Sequence, residues 1–272
     1  MSVRSNPLAF FAHFWKRREL IGQFTRLEFV ARYHGSQLGV LWSLASPFFT
    51  LLVYTFVFSV IFKPRWANAV NAGFLDYALI LFTGITAFEI FAACANRAPY
   101  EIADNSSYVK KMVFPLEILA VSILFSAMIE SLPALGLVVL GVACTTGKLH
   151  ATLLLLPLAY APLVFLTLAV CWTLNALGVF MRDVGHVVRV FTQLYFFLTP
   201  ILFPAEAVPE QYRYLLPLNP MYVVVEHFRR FVLWGQGPAW TELSAVTLVT
   251  FVLALLAYRW FMRVKGVFAD VI

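Results

Sequence analysis

The sequence predicts an all-α integral membrane protein with six transmembrane helices, an amphipathic helix at the N-terminal interface, and a re-entrant helical hairpin between spans five and six. Hydrophobic residues fill 61% of the 272 positions and charged ones 12%, and mean hydropathy is +0.82, outside the range of soluble globular domains. Apolar runs recur at lengths that cross a bilayer as helices. Lys and Arg, in turn, sort the loops onto two sides. The whole chain, 1–272, reads as one transmembrane domain: an interface region at 1–37, six spans within 38–262, an external re-entrant region at 205–240 and a tail at 263–272.

The first 37 residues are polar and basic without a continuous apolar core, so no removable signal peptide is expected. Within them Phe10, Phe14, Ile21, Phe24 and Leu27 recur at helical spacing, with Lys16, Arg17, Arg18 and Gln23 elsewhere. This is the pattern of an amphipathic helix over 7–30 lying on the membrane surface. The first span covers 38–62, 25 residues without a charge; as a helix it is about 37 Å long, enough for a core of about 30 Å. A second runs over 75–95 with Glu89 inside, and a third and fourth over 116–146 and 152–180, joined by the turn-like 147–151. The fifth, 187–203, is short and meets Pro200 and Pro204, and 243–262 forms the sixth. Between the last two, 205–240 is too polar to span and too rich in aromatics for a free loop, which suits re-entrant helices buried in protein or lining a water-filled path.

Six crossings put both termini on one side. Fourteen of the twenty basic residues fall there: Arg4, Lys16, Arg17, Arg18, Arg26 and Arg32 before span one, Arg97, Lys110 and Lys111 after span two, Arg182 and Arg189 after span four, and Arg259, Arg263 and Lys265 at the end. Basic residues are retained in the cytoplasm, so both termini are expected there. The net charge of +6 is then a cytoplasmic rim rather than a nucleic-acid surface.

No catalytic or metal-binding constellation stands out. Residues 141–149 read GVACTTGKL, with five residues between the glycines and Leu149 where a phosphate loop needs Ser or Thr. His13, His34, His150, His186 and His227 are scattered, with no i,i+4 pair, and read as interfacial or solvated. Cys94, Cys144 and Cys171 lie in apolar runs and suggest neither disulfides nor zinc. Asn105-Ser106-Ser107 matches a glycosylation sequon but falls in a cytoplasmic loop and reads as a turn or cap. Acidic residues inside spans carry more interest, because a carboxylate in hydrocarbon needs water or a partner. Asp76 and Glu117 lie near span ends and are expected to be solvated. Glu89 and Glu130 lie deeper, Glu130 just before Pro133, and both structural pairing and pathway lining are open to them.

A series of motifs then resembles the permease subunit of ABC-type polysaccharide exporters. It begins with Arg32-Tyr33-His34-Gly35-Ser36-Gln37-Leu38-Gly39-Val40-Leu41-Trp42, Pro47, and Tyr54 to Phe58. It continues with the polar turn, basic pair and aromatic-Pro of 105–115 followed by Glu117-Ile118-Leu119, then Phe180-Met181-Arg182-Asp183-Val184. Thr199-Pro200-Ile201, Phe203-Pro204, Pro209 and Leu218-Asn219-Pro220 complete it.

That resemblance implies a homodimeric channel with two copies of a separate ATPase subunit beneath it. ATP and Mg would bind that partner, and this chain would hold no cofactor and carry out no hydrolysis. The family's ATPase contacts fall here on 7–30 and 96–115, giving Arg17, Arg18, Asn105, Lys110 and Lys111 as coupling candidates, with the Arg182-Asp183 turn as a second contact or a local salt bridge. The implied substrate is a long glycan on a lipid carrier: O-antigen, teichoic acid or capsule. Sugar rings present C–H faces to aromatic side chains, which nominates Trp42, Tyr54 and Phe58 in span one and Tyr195, Phe196 and Phe197 in span five as lining, with lipid-facing packing as the alternative for each. Arg32 is placed to meet a lipid pyrophosphate or to snorkel to headgroups. A gradient-driven secondary transporter would show converging ionisable residues or inverted repeats, and a membrane enzyme a carboxylate or His cluster; neither pattern is visible in the sequence.

Overall fold

Apolar runs punctuated by Pro, Gly and charge fold as helices throughout. The computed structural model describes residues 7–33, 35–57, 75–109, 114–181 and 183–271, and no strand occurs among them. The helices are α1 (Pro7–Lys16), α2 (Arg18–Tyr33), α3 (Trp42–Tyr54), α4 (Asp76–Asp104), α5 (Ser106–Val109), α6 (Glu117–Thr146), α7 (Leu156–Phe180), α8 (Val184–Leu198), α9 (Pro220–Val232), α10 (Trp240–Val264) and α11 (Phe268–Val271). Five helical segments are long and apolar enough to cross a membrane: Gly39–Val57, Asp76–Asp104, Glu117–Thr146, Ala151–Phe180 and Trp240–Val267.

The stretch expected as a fifth span differs. It is helical only to Leu198, because Pro200 offers no N–H to continue the ladder. Its 15 residues reach about 22 Å, short of the bilayer core. The chain nonetheless runs on beside α4: the Thr192 hydroxyl donates to Asn96 Oδ1 at 3.1 Å, the Tyr195 ring lies against Phe88 and Phe91, and the Tyr77 hydroxyl donates to the Leu202 carbonyl at 2.9 Å. From Asn96 to Tyr77, α4 rises about 28 Å.

At the centre, α4 packs on α6, α7, α8 and α9, and α7 also packs along α10. Small residues permit the closest approaches. A Cβ at Gly178 of α7 would collide with the Pro99 carbonyl oxygen of α4, and one at Gly185 with the Tyr100 ring. α9 buries Met221, Val224, Val225, Phe228 and Phe231. Asn219 caps its start by accepting the Met221 N–H at 3.0 Å.

Four expectations are revised here. The N-terminal amphipathic segment is two helices, α1 and α2, meeting at Arg17, because its two apolar clusters pack on different partners. Phe10 and Phe14 join Trp172 and Tyr258, while Phe24 meets Tyr108 and Phe114. The second span continues as helix to Asp104, since Arg97 there pairs with Glu28 of α2 at 2.8 Å and Glu101 at 3.2 Å. Glu117 is not solvated. It is 1% exposed and bonds His13 Nε2 at 2.8 Å and Lys265 Nζ at 3.0 Å, because α1 and the chain after α10 fold over it. His227 is also buried, accepting the Ala239 N–H at Nε2 across 3.2 Å. The Glu117 contacts bring both terminal segments to the same end of the bundle.

Candidate functional site: a polar cavity between α3, α4 and α6

Ser43, Ser46, Thr50 and Tyr54 recur at intervals of three and four residues, so α3 carries its polar groups on one face. That face meets Thr86 and Glu89 of α4 and Glu130 and Ser131 of α6 around a cavity of about 400 Å³, with Arg32 and Tyr33 from the end of α2 and the Trp42 ring at its edge. Between Tyr77 and Ala92 every α4 residue is buried except Glu89, which is exposed to this space. Pro133 gives no N–H to the carbonyl four residues earlier, one turn from Glu130.

Glu130 is partnered. Arg32 forms an ion pair with it, and the Tyr33 hydroxyl donates to Glu130 Oε1 at 2.9 Å. Burial raises the pKa of the Tyr33 hydroxyl above its ordinary value, which keeps it a donor. Of the two readings open to this carboxylate, the structure shows the pairing, and it places the paired group at the wall of the cavity. Glu89 has no hydrogen bond or ion pair among the described residues.

The structure gathers Arg32, Trp42 and Tyr54 at one cavity; Phe58 lies outside the described residues. Tyr195, Phe196 and Phe197 are on α8 instead. Tyr195 donates to Asn219 Oδ1 at 2.7 Å, Phe196 packs edge-on against Phe88 at 5.2 Å, and Phe197 is 58% exposed. A second cavity, about 750 Å³ and almost wholly apolar, lies between α4, α7, α8 and α10.

Of the coupling candidates, Lys110, Lys111 and Arg182 lie outside the described residues. Arg17 contacts His13 at 2.9 Å, Arg18 is exposed over the Trp15 ring, Asn105 donates to the Glu101 carbonyl at 2.9 Å, and Asp183 is exposed just before α8. These four lie at the end of the bundle where the terminal segments meet. The sequence reading missed Ser43, Ser46 and Thr50, although their helical spacing was there to be seen. It also missed Glu28, whose partner Arg97 is distant in the chain, and Glu101, which pairs with Arg97 one turn away. No group of three or more His, Cys, Asp and Glu able to hold a metal occurs among the described residues.

The family profile for the ABC-2 type transporter matches residues 19–233. The O-antigen export system permease protein RfbA of Klebsiella pneumoniae is 25% identical over 267 residues, covering 93% of this chain and 95% of its own. The protein of the same name from Myxococcus xanthus is 27% identical over 259 residues, covering 94% and 96%. The polysialic acid transport protein KpsM of Escherichia coli is 25% identical over 240 residues, covering 85% and 89%.

Proposed function

Since this chain belongs to the ABC-2 type transporter family, we propose that it is the channel-forming permease subunit of an ATP-driven exporter that moves a lipid-linked polysaccharide from the cytoplasm to the outer face of the inner membrane. The observation that carries this reading is near end-to-end similarity to export permeases, 93% of the chain against the Klebsiella protein. O-antigen or a related surface glycan is the preferred cargo, because those matches cover more of the chain than the 85% reached by the polysialic acid transport protein. Capsular polysaccharide is the second reading, resting on that latter match.

In this reading two copies of the chain form the channel, and two copies of a cytoplasmic ATPase dock at the end of the bundle that carries Arg17, Arg18, Asn105 and Asp183, with Lys110, Lys111 and Arg182 as further coupling candidates from the sequence. The basic residues counted at that end support its cytoplasmic orientation. The run of α8 and 199–202 alongside α4 supports a sixth crossing, completed by extended chain after Leu198. A re-entrant position for α9 is supported by Asn219 at its start, which bonds Tyr195 beside Phe88 and Phe91 of α4, whereas Arg229 near its end donates to the Ile80 carbonyl, closer to the start of α4. The three polar and aromatic faces of the cavity suit a sliding sugar chain, since stacking and hydroxyl contacts hold without fixing one register. Arg32 would meet a pyrophosphate only by exchanging Glu130 for it.

Co-purification tests the assembly. A tagged copy expressed with its genomic neighbours is expected to bring down a nucleotide-binding ATPase, and deletion of this gene to leave lipid-linked glycan inside the cell. Normal surface glycan after deletion would rule the reading out.

A further inference from the structure

The cavity between α3, α4 and α6 has a chemistry that narrows the cargo, and the inference rests on the export reading above. Glu89 is a carboxylate on the most enclosed helix of the bundle, yet it is exposed, unpartnered among the described residues, and turned into a space shared with the Trp42 and Tyr54 rings. An ionisable side chain at membrane depth persists where it meets water or a ligand. The cavity's volume, about 400 Å³, falls within the range of roughly 300–1,000 Å³ usual for small-molecule sites. Its lining offers hydroxyls from Ser46 and Thr50, the rings of Trp42 and Tyr54 among four aromatic side chains, and the carboxylate of Glu89. Among the described lining residues the sole basic side chain is Arg32, and it is committed to Glu130.

We propose that this cavity is a binding subsite for one uncharged pyranose ring of the exported glycan. Glu89 accepts hydrogen bonds from ring hydroxyls, and the Trp42 and Tyr54 rings face the C–H surface of the sugar. A sugar bearing a carboxylate or sulfate finds no free cation among the described lining residues and meets Glu89 instead. The subsite therefore favours neutral over acidic repeat units.

The test uses the full permease–ATPase complex in nanodiscs, with benzoylphenylalanine replacing Ser46. Two polyprenyl-linked oligosaccharide probes are compared, one of neutral hexoses and one of hexuronic acids. Light is expected to attach the neutral probe to position 46 preferentially. Glu89→Leu should reduce that labelling roughly tenfold, the size expected for losing a hydrogen bond to a charged group, and Glu89→Gln should reduce it less. Size-exclusion of each variant with the ATPase subunit checks assembly. Equal labelling by both probes, unchanged labelling in Glu89→Leu, or attachment of position 46 to a second copy of this chain overturns the subsite. An absence of ATP-dependent export of either probe by the wild-type complex would instead remove the reading on which it rests.

Discussion

Arg229 sits with its guanidinium wholly inside the protein, donating to the carbonyls of Pro200 and Ile201 at 2.9 Å and Ile80 at 3.2 Å. Two of those acceptors follow the break at the end of α8 and have no helical ladder to satisfy them. Water cannot substitute within a bundle at membrane depth. Arg229→Met should therefore lower the unfolding midpoint in detergent, at about 1–3 kcal/mol for each carbonyl left unpaired; an unchanged midpoint would count against this role. From sequence Arg229 was legible only as a basic residue of the external re-entrant region, because three main-chain oxygens converging from two distant segments leave no mark in composition. Glu130 shows the opposite case. Its position before Pro133 flagged it, and the structure supplies the partners, Arg32 and Tyr33, that the flag asked for.

The helix with most to explain is α1. It is short and amphipathic, held by Phe10 and Phe14 against Trp172 and Tyr258 and by His13 against Glu117. Glu117 in turn holds Lys265, so one buried carboxylate ties the N-terminal helix, the start of α6 and the chain after α10. Removing one partner from a buried ionic cluster leaves the others uncompensated. In Glu117→Ala, α1 should loosen, and limited trypsin digestion at Arg17 and Arg18 should proceed several-fold faster than in the wild type. Identical digestion rates would show that the aromatic contacts alone hold α1. The existence of these elements was legible from apolar periodicity, and their ends were not. The second span outran its expected limit because Arg97 pairs with both Glu28 and Glu101, and Asn105 donates a hydrogen bond to Glu101; Glu28 and Arg97, on separate helices, carry no local signal of their pairing. Pro200 is visible in the sequence, yet the expected span runs past it to 203, whereas the helix ends at Leu198.

For the molecule as a whole, the terminal segments share one end and the start of α4 meets the chain after α8 at the other. The six crossings proposed above require this arrangement. In a cysteine-free background, a cysteine at Gly266 should react with an impermeant maleimide only in inverted vesicles and one at Glu210 only in intact cells lacking an outer-membrane barrier; the reverse pattern would invert the topology. In the proposed function the cavity and its aromatic rings guide the glycan, and a partner ATPase supplies the energy.

Reconstitution of this chain with its ATPase in proteoliposomes tests that claim most directly. Lipid-linked glycan should become inaccessible to an externally added glycosidase when ATP reaches the ATPase face, and remain accessible with a non-hydrolysable analogue. Protection driven by a proton gradient without ATP, or no protection at all, would contradict it.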